Sequence, residues 1–327
     1  MAITRRTLMV TEKPSQMRNI APHWQDRFPH DKLTHFHTPP IGSFGLRLPR
    51  DLPLSSVPIV ADPVLERRPS WKREPEGPSP FDGDFGALAR DADHIVCATD
   101  HDPAGCRNFL DLIVQYAVET PLSDITWLAI RAEHAMAVRA CIDRGLKADH
   151  PSFAQMAAIG QARRYFDNLY LLNALPVFGL ALKAVGIAPV GRFALLSKYT
   201  LQLLLLLSRI EKGPLRHGEI VGLMIGDPAP KGYSPLGSAK SREAIVSWLQ
   251  DSGCLEAHAH IQDGIVRYSV SERGQRLVRL LHKDCFDPHL SARLQGWGKS
   301  WPASKPAIER YIRTFFGKQK RHLLARV

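Results

Sequence analysis

The segment His94 to Cys106, HIVCATDHDPAGC, joins a strand-like run to a pair of acids. The run itself, residues 95–98, is short and wholly apolar, which is typical of a buried strand. Asp100 and Asp102 follow it in a turn that contains proline and glycine. Two aspartates one residue apart repel each other unless a cation lies between them, and carboxylate oxygens suit Mg²⁺. The segment therefore predicts a Mg²⁺ site at the end of a strand.

A second segment near the N-terminus has the same form. Residues 7–10 (TLMV) are strand-like, and Glu12 and Lys13 follow them. In open α/β sheets, binding sites lie outside the carboxyl ends of the strands. If the two runs are neighbouring parallel strands, Glu12 is a third carboxylate beside Asp100 and Asp102. The plainer alternative is that the Asp-x-Asp turn is turn chemistry alone, because aspartate often bonds its own backbone.

The composition indicates a globular protein with a polyanionic partner. The chain has 327 residues, 44% hydrophobic and 23% charged, which is enough for two or three domains. Lysine and arginine outnumber aspartate and glutamate by 43 to 32, giving a net charge of +11. This charge favours nucleic acid first and an anionic membrane surface second.

Cysteine usage and hydropathy predict a cytoplasmic protein that does not enter the membrane. The five cysteines include no Cys-x-x-Cys pair, so we expect neither a disulfide framework nor a zinc ribbon. The N-terminus shows no signal-peptide apolar core before its first charges. The most apolar span, residues 177–207, is interrupted by three basic residues and a proline, which argues against a membrane helix.

Alternating patterns predict an α/β domain over residues 1–150. Apolar residues at helical spacing follow the Asp-x-Asp turn at 108–118, and another strand-like run lies at 125–130. Strand, helix and strand in this order predict a parallel sheet with flanking helices. Within the domain, residues 66–84 are rich in proline and charge and predict a surface loop.

After residue 150 the composition changes to long helices, and we expect a mainly helical segment at 151–236. The pattern over 237–295 predicts a winged-helix-like unit, with a helix from Ser241, a hairpin, and a second helix capped by Ser271. Such units often bind nucleic acid, although a purely structural unit is the alternative. The basic, aromatic tail at 296–327 predicts either a DNA-contacting arm or a solvated amphipathic helix.

Two motifs resemble the Toprim domain of type IA DNA topoisomerases. They are the Glu-Lys-Pro-Ser turn at 12–15 and the Asp-x-Asp turn at 99–105, in the family's order. The second turn is also similar to the Toprim turn of bacterial primases. The resemblance implies a Toprim-like fold that binds Mg²⁺ through Glu12, Asp100 and Asp102 and acts on DNA, with single-stranded DNA as the expected substrate.

Later segments resemble the same family in the same order. Residues 161–167 (QARRYFD) resemble its Ala-Arg-Arg-x-x-Asp helix, residues 189–201 its Val-Gly-Arg segment, and residues 237–245 its Pro-Ser-Thr-Arg-Ala segment. The resemblance implies a set of DNA-binding residues: Arg163, Arg164, Arg192, Lys240 and Arg242. In the family a tyrosine oxygen attacks a phosphodiester, which implies that Lys13 steadies the phosphate and Glu12 handles the leaving-group proton.

The chain departs from the family's pattern at two places. Cys106 stands where the family has a third metal-ligand Glu, which weakens the expected metal site. The interval 208–237 is too short for the arch that carries the nucleophilic tyrosine, so strand passage would need a protein partner to supply the missing gate. Tyr311 begins a Tyr-x-Arg-Thr segment at the opposite end of the chain, and Tyr199 and Tyr233 are the other candidates.

Three functions therefore stay open from the sequence. The first is a shortened type IA topoisomerase-like enzyme that cleaves and rejoins single-stranded DNA. The second is a Mg²⁺-dependent Toprim nuclease or primase-type enzyme, which needs no tyrosine. The third is a DNA-binding protein without catalysis, which Cys106 favours.

Overall fold

The computed structural model describes residues 4–38, 42–49, 51–68, 85–187, 197–211, 213–226, 235–237, 239–259 and 264–327. The chain folds into two compact units. The first comprises residues 1–47, 64–163 and 298–302, and the second comprises residues 48–63, 164–297 and 303–327. The domain boundary predicted at residue 150 lies 13 residues before the first unit's segment 64–163 ends. The boundaries predicted at residues 236 and 295 both fall inside the second unit.

The first unit contains a mainly parallel sheet. Its strands are β1 (Arg6–Thr11), β2 (Lys32–His37), β5 (His94–Cys97), β6 (Thr126–Trp127) and β7 (Leu146–Lys147). They lie in the order β2-β1-β5-β6-β7, and all neighbours run parallel except β6 and β7. Two further strands, β3 (Phe44–Leu46) and β4 (Leu65–Arg67), form an antiparallel pair. The predicted α/β class and the strands at 7–10 and 95–98 are confirmed, while the antiparallel β7 was not predicted.

Helices flank this sheet. They are α1 (Pro14–Arg27), α2 (Phe85–Asp91), α3 (Pro103–Gln115), α4 (Ala135–Arg144) and the first part of α5 (Pro151–Ala184). Of the predicted loop at 66–84, residues 69–84 lie outside the described residues, and Glu66 and Arg67 belong to β4.

Side chains alternate between two cores, one on each face of the sheet. From β1, Leu8 and Val10 enter one core and Met9 enters the other. From β5, Ile95 joins the first core and Val96 the second. Because successive strand residues point to opposite faces, a strand covered on both sides must be apolar throughout. The uninterrupted runs at 7–10 and 95–98 therefore reflect double-sided burial.

The second unit combines helices with a small antiparallel sheet. Its helices are the rest of α5, α6 (Lys198–Leu207), α7 (His217–Ile225), α8 (Ala239–Asp251), α9 (Glu272–Leu280), most of α10 (Leu290–Lys299) and α11 (Lys305–Leu324). Its sheet has the order β8 (Leu215–Arg216), β10 (Val266–Val270), β9 (Leu255–Ala259). The predicted hairpin is confirmed, with Leu255 opposite Val270.

The ends of the helices around this hairpin follow capping chemistry. Ser271 caps α9 as predicted, because its Oγ accepts a hydrogen bond from the Gly274 N–H at 3.0 Å. The predicted cap at Ser241 is wrong, since α8 already begins at Ala239. Alanine and lysine are strong helix formers, so Ala239 and Lys240 extend the helix past the serine.

The predicted tail forms α11, an amphipathic helix that packs within the second unit. Ile308, Ile312 and Phe316 are fully buried. The ring centroid of Phe316 lies 5.3 Å from that of Tyr170. The prediction of a solvated helix is therefore wrong for the apolar face, which belongs to the core. No helix in the described ranges is long and apolar enough to cross a membrane.

Candidate functional site

The carboxyl ends of β1 and β5 bring the predicted acidic residues together. Val10 pairs with Cys97 in parallel register, so the two strands end at the same edge of the sheet. Glu12 follows β1 directly, and Asp100 lies in the turn after β5. Lys13 Nζ is 3.3 Å from Asp100 Oδ2. Glu12, Lys13 and Asp100 thus form one cluster, although 87 residues separate Lys13 from Asp100 in sequence.

Glu12 is the buried member of this cluster. Its side chain is 3% exposed, and its Oε1 accepts a hydrogen bond from Asn108 Nδ2 at 2.9 Å. Burial raises the pKa of Glu12 from its ordinary 4.5 to about 8, the Asn108 hydrogen bond opposes this rise, and Asp100 and Asp102 add to it. Without a cation, Glu12 is therefore mostly protonated at neutral pH.

Gln16, in the first turn of α1, ties the two acidic turns together. Its Oε1 accepts hydrogen bonds from the backbone N–H groups of Glu12 and Lys13, at 2.9 and 3.0 Å. Its Nε2 donates to Asp100 Oδ1. Gln16 was not among the site residues predicted from the sequence. A glutamine three residues after a helix N-cap is a known capping signal that could have identified its contact with the turn.

Asp102 begins α3 as its N-cap. Its Oδ1 accepts hydrogen bonds from the Ala104 and Gly105 N–H groups, each at 2.8 Å. The plainer interpretation of the Asp-x-Asp turn thus holds for this oxygen. A Cβ on Gly105 would lie 2.1 Å from the Asp100 carbonyl oxygen, so only glycine allows the turn to close this tightly.

Asn108 is a second residue of the cluster that sequence reasoning missed. It is 1% exposed and lies on α3, 96 residues from its partner Glu12 in sequence. Its Oδ1 accepts a hydrogen bond from an Arg107 guanidinium nitrogen at 2.7 Å. Nothing in the spacing of the sequence marks this asparagine, because its partner comes from another strand end.

Cys106 cannot replace the acid whose position it occupies. It is fully buried in the core, with its Sγ 3.9 Å from Met156 Sδ. Burial raises the pKa of the Cys106 thiol far above its usual range, so the side chain is uncharged at neutral pH. Any metal site here therefore relies on Glu12, Asp100 and Asp102.

The donors suit a Mg²⁺ ion held mainly by two carboxylates. Within the described part of the chain, no group of three or more His, Cys, Asp or Glu side chains is arranged to hold a metal ion. The Asp100 carboxyl is nevertheless within hydrogen-bonding reach of Glu12, and its charge helps to raise the pKa of Glu12. Mg²⁺ commonly binds through one or two carboxylates and several waters. The chemistry and the charge of this pair therefore fit Mg²⁺.

A cleft of about 510 Å³ opens at this cluster. Gln16, Asp100, Asp102, Arg131 and Glu133 are among the residues that line it. We call it the carboxylate cleft. It belongs to the first unit and is large enough for a nucleotide, since ligand pockets commonly measure roughly 300–1,000 Å³.

The predicted DNA-binding residues of the long helix are only partly accessible. Arg163 on α5 is exposed, and Arg164 is half-buried. Arg192 lies outside the described residues. The DNA contacts of these three arginines stay predictions.

The two DNA-binding residues predicted on α8 are Lys240 and Arg242. The side chain of Lys240 lies outside the described part. Arg242 is half-buried and donates a hydrogen bond to the Gly237 carbonyl oxygen at 3.2 Å. This contact stabilises the turn before the helix, so a DNA contact by Arg242 would compete with it.

Tyr311, one of the tyrosines considered as nucleophiles, is half-buried. Its ring lies within an aromatic cluster of the second unit, 5.5 Å from Trp297 and 5.8 Å from Phe315. Burial raises the pKa of the Tyr311 phenol well above its usual range, which opposes formation of a phenolate. Tyr199 is half-buried beside Lys198, whose Nζ lies 5.1 Å from its ring centroid. Tyr233 lies outside the described residues.

Comparisons with models of known protein families and with curated proteins found no match for this chain. The likeness to type IA topoisomerases therefore depends on the motifs themselves. Of these, the turns at 12–15 and 99–105 come together at one edge of the sheet.

Proposed function

We propose that this chain is a Mg²⁺-dependent enzyme that cleaves phosphodiester bonds of DNA, with a Toprim-like first unit. The observation that carries the proposal is the pairing of Glu12 with Asp100 beside Lys13 at the ends of β1 and β5. Acids that the fold holds close together against their mutual repulsion favour a divalent cation, and Lys13 adds a positive charge for the substrate phosphate.

Bound Mg²⁺ would neutralise charge on the phosphodiester and activate the attacking oxygen. Glu12 and Asp100 would hold it, with Asp102 in support. Lys13 would orient a non-bridging phosphate oxygen, and water would supply the proton to the leaving oxygen, because Glu12 is ionised while it holds the cation. Gln16 and Asn108 are positioning residues, because they fix Asp100 and Glu12 through the hydrogen bonds described above.

Water is the nucleophile that the first unit favours. Tyr116 is the one tyrosine in the residues of this unit, and it follows the C-terminal end of α3, whereas Asp102 caps the N-terminal end. A helix of this length spans roughly 20 Å, so Tyr116 is far from the carboxylates. It also packs in the core, 5.5 Å from the Phe85 ring. Hydrolysis by water needs no tyrosine nucleophile in addition to the carboxylates and Lys13.

Cleavage and rejoining by a tyrosine, as in type IA topoisomerases, is the second candidate. The order of the motifs along the chain favours it, and it requires a tyrosine other than Tyr116. A trapping assay separates the two: hydrolysis leaves shortened DNA free of protein, whereas transesterification leaves DNA linked to a tyrosine after rapid denaturation.

DNA binding has separate support in the second unit. The order α6, β8, α7, α8, β9, β10, with β10 between β8 and β9, supports a winged-helix-like unit that begins before residue 237. Across its sheet, Arg216 lies opposite Arg267. This pair of arginines brings two positive charges to one part of the sheet, which suits a DNA phosphate.

The proposal is tested by cleavage of labelled single-stranded DNA in Mg²⁺ and in EDTA. We expect Mg²⁺-dependent shortening by the wild-type protein and a loss of at least roughly 100-fold on Asp100→Asn. Activity that survives this substitution would remove the carboxylate cluster from the mechanism.

A further inference from the structure

A second cleft, of about 480 Å³, adjoins the carboxylate cleft in the first unit. Its charged and aromatic lining residues are His101, Trp127, Arg131, Arg144 and His150. We call it the basic cleft. The two clefts share the lining residues His101, Arg131 and Ala132, so they meet at these residues.

The two clefts have opposite charge. Asp100, Asp102 and Glu133 line the carboxylate cleft, whereas no acidic side chain is among the described residues that line the basic cleft. Arg131 Nε donates to His101 Nε2 at 3.4 Å, and a neutral imidazole does not cancel the guanidinium charge. An anion in the basic cleft would therefore face two guanidinium groups without a competing carboxylate.

The walls of the basic cleft are well supported. Arg144 lies in the last turn of α4, which Val138 and Ile142 anchor in the core. Trp127 is 1% exposed and lies between two imidazoles, with ring centroids 5.2 Å from His101 and 6.1 Å from His150. Packing of this kind holds the polar groups in place before a ligand binds.

We propose that the basic cleft binds the phosphate of the nucleotide next to the bond that is cleaved. This inference rests on the proposed function, because it identifies the substrate's position in the same site. Because the basic cleft adjoins the carboxylate cleft, a strand can occupy both clefts at once, which a free nucleotide would not do. We therefore assign the basic cleft to a phosphodiester within a strand. Arg131 and Arg144 contact the neighbouring phosphate, so the strand runs from the carboxylates towards α4.

The test measures binding of a fluorescent single-stranded oligonucleotide in EDTA over a series of salt concentrations. Arg131→Gln and Arg144→Gln each weaken binding roughly ten-fold, as expected for one charge-assisted hydrogen bond. Each also reduces the slope of log affinity against log salt by about 0.7. Arg131→Lys, which keeps the charge, keeps the slope.

Arg139→Gln is the matched control. Arg139 is also on α4 and exposed, but it contacts His23 and Asp26 and does not line the basic cleft. If Arg131→Gln and Arg144→Gln bind with the same affinity and slope as Arg139→Gln, the inference is wrong. Thermal unfolding of each variant shows whether it is still folded, so that weaker binding can be assigned to a lost contact with DNA.

Three further outcomes show which part of the reasoning fails. If wild-type protein cleaves DNA through Asp100 but the two glutamine variants bind like the control, this inference fails and the proposed function stands. If the variants lose affinity and slope but no cleavage occurs, the binding site stands and the proposed chemistry fails. If deoxyadenosine monophosphate binds as tightly as the oligonucleotide, and Arg131→Gln abolishes this, the cleft is a free-nucleotide site and the strand assignment is overturned.

Discussion

Replacing Glu12 with glutamine should stabilise the metal-free protein at alkaline pH. Glutamine mimics the protonated acid: its carbonyl oxygen can accept the Asn108 hydrogen bond, and its amide can donate to Asp100. What the substitution removes is the ionisation of a carboxyl that is 3% exposed.

The magnitude follows from the pKa of Glu12, about 8 in the folded protein against an ordinary 4.5. Because the folded state binds the proton more tightly than the unfolded state, the free energy of unfolding falls as pH rises between these two values. At about 1.4 kcal/mol for each pKa unit, the wild-type protein loses about 4–5 kcal/mol over this range through Glu12. The Glu12→Gln protein does not lose this part of its unfolding free energy, because glutamine does not ionise.

The assay is urea denaturation in EDTA between pH 4.5 and 8.5, with Glu119→Gln as the control. Glu119 is an exposed carboxylate in the loop after α3. Burial lowers the pKa of His37 and His94 to about 4, but both histidines are present in every variant, so the difference between proteins isolates Glu12. Adding Mg²⁺ at pH 8 should stabilise the wild-type protein and have little effect on Glu12→Gln.

A stability difference between wild type and Glu12→Gln that stays constant from pH 4.5 to 8.5 would refute the reasoning. It would mean that the carboxyl ionises as easily in the folded as in the unfolded chain. The burial and repulsion assigned to Glu12 would then be wrong.

Four other substitutions test separate parts of the structure. Asn108→Ala removes the hydrogen bond that favours ionised Glu12, so the pH range over which stability falls should extend upward in the same urea assay. Gly105→Ala should lower the free energy of unfolding by about 1–3 kcal/mol, because its Cβ would meet the Asp100 carbonyl, whereas Gly179→Ala, with open space around it, should be tolerated. Cys106→Ser should leave Mg²⁺ binding, followed by calorimetry, unchanged, because Cys106 lies in the core; a weaker affinity would make it a ligand. Arg267→Gln should reduce the salt dependence of DNA binding in a titration, by a slope of about 0.7 for a single strand; an unchanged slope would exclude the small sheet from the interface.

Local patterns in the sequence predict much of the fold. The strand-like run at 7–10, apolar from Leu8 to Val10, and the apolar run at 95–98 identify the central strands because both faces of the sheet are covered. The hairpin of β9 and β10 and the Ser271 cap follow from turn and capping chemistry close in sequence. These features depend on residues within a few positions of one another.

The site is predicted less completely because its supporting contacts are distant in sequence. The acids at 12, 100 and 102 are visible as residues that follow apolar runs. Asn108 is not, since its role depends on a partner that β1 delivers. The sequence also gives Cys106 a ligand's position, but the packing of α3 directs it into the core.

The basic cleft shows the same limit. Arg131 lies in the loop before α4 and Arg144 in the last turn of α4, and neither belongs to a recognisable motif. Their proximity to the carboxylates arises from the position of α4 against the sheet, where Val138 and Ile142 are buried. Charge composition predicts an anionic partner, but only the fold locates these cations beside the acids.

The most direct test of the central claim is a cleavage and trapping assay on one sample. Wild-type and Asp100→Asn proteins are incubated with end-labelled single-stranded DNA and Mg²⁺, denatured abruptly, and separated so that free and protein-linked label are both seen. We expect shortened, protein-free DNA from the wild-type protein in Mg²⁺, none in EDTA, and none from Asp100→Asn. Intact DNA from the wild-type protein, or equal cleavage by Asp100→Asn, would contradict it.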